Sequence, residues 1–186
     1  MIINEMKHYS KILDFWFKDK IKLNWFVKDL ELDQKITTEF LGIYKNQLMN
    51  IGRDLKKIED VKELLSLIIL FDQFPRNMFR GKKESFDTDK EALRISRYLI
   101  SNEFDDEVIN NDYLLFLYMP FMHSENLKDQ EMSVGLFKNV NKQSYEFAIK
   151  NRDIIERFGR FPQRNKALGR KSTGEENRFL KEFTLF

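Results

Sequence analysis

Apolar residues recur three and four positions apart along almost the whole chain, and no stretch between turn signals keeps a clean alternation of two. A period near 3.6 buries one stripe of a helix, whereas a half-buried strand needs a period of two, so the pattern restricts the chain to an all-α fold. Seven glycines and three prolines in 186 residues leave little room for linkers, and a 42% hydrophobic share supplies a core. A chain of this length makes one domain, and no shift in composition divides residues 1–186.

The pattern predicts about eight helices. The first runs from Tyr9 to Asp19 and the second from Leu32 to Leu48. A third, from Glu59 to Gln73, should end before Pro75, whose ring removes a donor and clashes with the preceding turn. Thr88 and Glu91 have capping-box spacing and open a fourth. A fifth, from Val108 to Met119, should stop at Pro120, a sixth spans Leu127 to Asn139, and a seventh runs from Gln143 to Phe158, closed by Gly159 and Pro162. Ser172 and Glu175 repeat the capping-box spacing before a last short helix.

Composition also narrows the chemistry. Without cysteine there is no disulfide, thiol nucleophile or thiolate zinc site, and His8 and His123 are the two imidazoles available, so neither a metal nor a cofactor is expected. The longest apolar run, Leu64 to Phe71, is too short to cross a bilayer, and the first residues lack the layout of a secretory signal, so a cytoplasmic protein is expected. Between Lys150 and Lys171 eight basic residues face two acidic ones, which points to an anionic partner or to acidic neighbours. The near-neutral total argues against nucleic acid, although Phe158 and Phe161 are interleaved with that basic run.

All three prolines sit in aromatic or Met-rich contexts. Two of them share the form Phe-x-x-Phe-Pro followed by Arg and Asn, at Phe71–Asn77 and Phe158–Asn165, as if two helix ends were built alike. On the third helix the face of Val61, Leu65 and Ile68 continues to Asp72, so a carboxylate projects from the core stripe and needs a cation or hydrogen bonds. Arg76 and Arg80 are near in sequence, and Arg152 lies on the apolar stripe of the seventh helix, so pairing of Asp72 with Arg152, Arg157 or Arg160 is expected. After Pro120, His123 leaves a helix together with Ser124 and Glu125, and an imidazole oriented by a carboxylate can transfer protons near neutral pH.

Four stretches, Ile12–Phe17, Leu67–Gly81, Phe116–Phe137 and Asn151–Glu176, resemble the bacterial domain-of-unknown-function 924 family, in that family's order. The resemblance implies a TPR-like stack of helix pairs and no established reaction. Taken with the motifs, it suggests a catalytic group of His123, Glu125 and Asp72. Gln73, Arg76, Asn77, Arg80, Ser124, Arg157, Arg160, Arg164 and Asn165 would line a ligand pocket. The expected partner is an anionic small molecule bearing phosphate or carboxylate, because guanidinium forks match such groups bidentately. Alternatives are a scaffold that clamps a peptide carboxylate, a hydrolase or transferase that uses His123, and an ionic network that fixes helix ends without a ligand.

Overall fold

The computed structural model describes residues 2–104 and 110–182, and among these every regular element is helical. The eight expected helices are present, and a short one, α2 (Asp19–Lys22), follows α1 (Ile2–Trp16). Next come α3 (Leu30–Leu48), the paired segments α4 (Val61–Ile68) and α5 (Phe74–Met78), and α6 (Asp89–Ser101). The chain ends with α7 (Asn111–His123), α8 (Leu127–Phe137), α9 (Lys142–Phe158) and α10 (Gly174–Glu182). The expected fifth-helix start at Val108 lies outside the described residues. Helices α6 to α9 pack in succession, each against the next, while α4 lies between α1 and α6. No helix among the described residues is long and apolar enough to cross a membrane.

Phe74 sits at the centre of the core. Its ring lies 4.7 Å from that of Phe40 and 5.6 Å from that of Trp16, which in turn meets Phe116 at 5.4 Å. All four rings are almost completely buried, and each contributes about 1.5–3 kcal/mol of transfer free energy. These tilted and edge-on contacts tie α1, α3, α5 and α7 together.

Helix starts are set by short polar side chains at Asp29, Asp60, Asn110, Asn126 and Asn141, each of which accepts from a main-chain N–H two or three residues on. The two expected capping boxes come out differently. Thr88 does precede α6, but its hydroxyl makes no cap, and Glu91 instead binds Arg94 and the Gly52 N–H. The C-terminal box forms one residue later, with the Glu176 N–H donating to Thr173 Oγ1 at 3.1 Å and the Thr173 N–H to Glu176 Oε2 at 2.7 Å. Gly159 closes α9 in the left-handed region as expected, with φ of 67°.

Neither Pro75 nor Pro120 ends its helix. The third helix passes through Pro75 because α4 opens into one turn of π-helix, Ile69–Gln73, before α5 resumes. The Phe71 carbonyl, whose α-helical donor would be the N–H that Pro75 lacks, accepts the Thr88 hydroxyl at 2.6 Å. In α7, Pro120 is likewise internal, and the Ser96 hydroxyl donates to the Leu117 carbonyl in the turn before it. Helix α6 and its cap residue thus supply donors to two proline-interrupted helices. The second Phe-x-x-Phe-Pro stretch breaks at Gly159 and turns into a 3₁₀ segment, Pro162–Arg164, so the two motifs end their helices differently.

Replacing Thr88 by Val removes a buried donor while keeping the shape, and should lower stability in urea titrations by about 1–3 kcal/mol. Thr88→Ser, which keeps the hydroxyl, should stay within about 1 kcal/mol of wild type.

Candidate functional site

The π turn places Asp72 in the interior, fully buried, where a bare carboxylate would be expensive. It is not bare. His123 Nδ1 lies 2.8 Å from Asp72 Oδ1 and 3.0 Å from Oδ2, Arg76 approaches Oδ1 at 3.3 Å, and the Gln73 amide donates to Oδ2. Burial alone would raise the Asp72 carboxyl, but His123, Arg76 and Gln73 outweigh it and hold it at about 2, below its ordinary value of 3.8. His123 is pushed down from 6.5 by burial and by the Arg76 charge, against the pull of Asp72. At neutral pH the pair is therefore a carboxylate accepting from the Nδ1–H of a neutral imidazole. The expected pairing of Asp72 with Arg152, Arg157 or Arg160 does not occur, because the π turn aims the carboxylate at α7 and Arg152 pairs with its neighbour Asp153.

Arg76 also forks onto Asp89, at 2.8 and 3.2 Å, and Arg164 reaches the same carboxylate at 3.3 Å. Both guanidiniums lie over the Phe86 ring, and Arg164 covers Phe161 as well. Burial and the nearby Arg76 lower Arg164 to about 10, which leaves it charged at neutral pH. The end of α7 is held from several sides. The Arg164 guanidinium donates to the His123 carbonyl at 2.9 Å, and the buried Gln130 amide donates to the carbonyls of Met122 at 2.9 Å and Ser124 at 2.6 Å.

This cluster forms the floor of a cavity of about 580 Å³. Gln73, Arg76, Asn77, Arg80, His123 and Lys28 are among its polar and charged lining residues. Trp25, Phe26, Val27, Leu115, Met119, Met122 and Phe147 supply apolar walls, and Asn141, Gln143, Ser144 and Asn151 come from the start and one face of α9. Arg80 is held by Asp33 through two contacts of 2.7 Å. Three lining residues are cationic and none carries a carboxylate.

The remaining expected site residues lie elsewhere. Glu125 does not orient His123; it is clamped by Arg170 at 2.7 and 2.9 Å and accepts from the Phe161 N–H. Ser124 donates to Asp129 at 2.7 Å. Arg160 forks onto Glu176 at 2.6 and 2.9 Å, and Arg157 pairs with Glu175. Asn165, buried, binds Arg170, Ser172 and Glu176. Much of the basic run is thus spent on carboxylates of the chain itself, fastening the segment after α9 to the bundle. Phe161 is buried and Phe158 packs on Phe179, so both rings serve the interior.

The motifs point to Gln73, Arg76, Asn77, Arg80 and His123 at the cavity, and to Asp72 beneath it. They give no sign of Asp89, Asp33 or the aromatic wall of residues 25–27. Asp89 could have been found as the acidic residue after the Thr88 cap, on the side where two buried arginines need a counter-charge.

Because Asp72 is held at about 2 in the folded chain against 3.8 ordinarily, it stabilises the fold fully above 3.8, and that contribution disappears as pH falls through about 2. Its size is about 2 kcal/mol. Asp72→Asn should therefore lower stability at neutral pH by at least that amount and flatten the acid limb between those two values, as read by urea unfolding across pH.

Comparison with known proteins places this architecture. The family described as a bacterial protein of unknown function, DUF924, matches residues 12–183. The solved structure of a protein of unknown function from Agrobacterium tumefaciens is similar at a TM-score of 0.86 and 32% identity, covering 96% of this chain and 99% of that chain. A comparison with curated proteins finds no match. With a match over nearly its whole length and a structural relative covered almost end to end, the chain belongs to the DUF924 family.

Proposed function

We propose that the protein binds a small molecule that has an apolar body and an anionic group. The observation that carries this reading is the lining of the cavity, where Arg76, Arg80 and Lys28 meet no lining carboxylate and the rest of the lining includes aromatic and Met side chains. A volume of about 580 Å³ falls within the range of small-molecule sites. Both terminal nitrogens of Arg76 are engaged by Ser85, Asp89 and Asp72, whereas Arg80 forks onto Asp33 through Nε and Nη2, which among the described residues leaves Nη1 to offer N–H groups to a ligand. Lys28 stands exposed at the mouth and adds attraction. The amides of Asn77, Asn151 and Gln143 supply neutral donors and acceptors that fix orientation.

An anion of a few heavy atoms on an aryl or alkyl chain fits this division better than a peptide. Arg157, Arg160 and Asn165, which a peptide clamp would need, are engaged within the C-terminal segment.

Isothermal calorimetry with 3-phenylpropionate, octanoate and phenyl phosphate should detect binding that weakens with salt. Lys28→Glu and Asn77→Asp, which place negative charge at the cavity, should each weaken it by about tenfold, roughly 1.4 kcal/mol. Arg160→Ala should lower the melting temperature without changing the affinity. Binding that is the same for the neutral amides of these acids, or unaffected by both charge-inserting variants, would overturn the reading.

A further inference from the structure

We infer that the cavity is hydrolytic, with His123 as the base that draws a proton from water during attack on an ester group of the anionic ligand. The inference rests on the binding reading above and adds a reaction to it.

Three observations carry it. Asp72 takes the Nδ1 edge of the ring from below, so the Nε2 edge, for which no hydrogen-bond partner occurs among the described residues, is left to the cavity that His123 lines. An imidazole held in this tautomer presents its lone pair to whatever enters. Second, the main chain that carries the ring is fixed, with the His123 carbonyl held by Arg164 and that of Met122 by Gln130, while Asp72 holds the ring itself. Third, the side chain is 19% exposed, so water reaches it, and the amide of Asn151 lines the same cavity as a donor for a developing oxyanion.

The step balances without a further reactant. Nε2 takes one proton of the water as its oxygen bonds to the acyl carbon, and the carbonyl electron pair moves onto oxygen. When the tetrahedral centre collapses, the acyl C–O bond breaks and the leaving oxygen takes the proton from Nε2. The products are a carboxylate, an alcohol and one released proton. Water rather than Ser124 is the nucleophile, because the Ser124 hydroxyl is directed to Asp129. Asp72 is a positioning residue. The charged groups that face His123 are Asp72 from the π turn, Arg76 from α5, Asp89 from α6 and Arg164 from the segment after α9.

The test uses the mono-p-nitrophenyl ester of glutaric acid, with p-nitrophenyl butyrate as the neutral counterpart. Wild type should turn over the anionic ester faster than the neutral one, and kcat should rise with pH along one limb placed below 6.5. His123→Gln should lower kcat by about 10²–10⁴-fold with KM little changed. Asp72→Asn should move the limb to lower pH, since the carboxylate that raises the imidazole is gone, whereas a purely structural Asp72 would change the amplitude alone. Should Asp72→Asn fail to fold, carbethoxylation of wild-type His123 by diethyl pyrocarbonate, read by mass spectrometry, tests the free Nε2 directly and should proceed readily. Undiminished turnover in His123→Gln, no turnover in wild type, an unmoved limb in folded Asp72→Asn or an unreactive His123 would each overturn the inference. Calorimetry with 5-phenylpentanoate, an uncleavable counterpart of the anionic ester, separates the two readings: binding without ester turnover removes the catalysis alone, and neither binding nor turnover removes both.

Discussion

A single buried carboxylate organises this protein. Asp72 has no contact with water, so its charge is tolerable only while His123, Arg76 and Gln73 surround it. That requirement fixes the end of α7 against the π turn. Through Arg76 it reaches Asp89 at the start of α6, and through Asp89 it reaches Arg164 beyond α9. Four separated parts of the chain are thereby registered at one point. The neighbouring aromatic core supplies most of the burial energy, but rings tolerate small slides, and hydrogen-bonded charges do not.

The π turn makes this arrangement possible. A regular α-helix would meet Pro75 with a clash and a missing donor. Widening one turn lets the helix run on, carrying Arg76, Asn77 and Arg80 to the cavity. The carbonyl that Pro75 leaves without its α-helical donor is then met by Thr88, just before α6, and Ser96 on α6 adds a donor to the Leu117 carbonyl in the turn before Pro120. Pro75 becomes an internal feature because the widened turn relieves its clash and the Thr88 hydroxyl meets the carbonyl it leaves open.

Helical content, most helix boundaries and part of the cavity floor were legible in the residues. Spacing alone reveals an apolar face, and Asp72 on that face signals a charge in need of partners. Which partners it takes depends on the extra residue in the π turn, and no local propensity announces that. Likewise, a run such as Lys150–Lys171 displays its charge but not its counter-charges, since Glu125, Asp89, Glu175 and Glu176 come from other turns of the chain. The arginines near Pro162 therefore read as ligand contacts and fold as fasteners. The walls at Trp25, Phe26 and Val27 were invisible for a simpler reason: a short connector has no period to read.

The cavity has walls of unequal mechanical character. On the α7 side the main chain is tied by Gln130 and Arg164, and Trp25 is pinned by its indole N–H on the Trp16 carbonyl at 3.0 Å and by Phe116 at 4.6 Å. Phe26, Val27 and Lys28 lie outside that scaffold, largely exposed, between a four-residue helix and the cap of α3. For the ligand proposed above, the end that meets His123 would encounter a fixed gauge, whereas the tail would lie against three largely exposed residues. On that proposal, discrimination would be sharper among head groups than among tails.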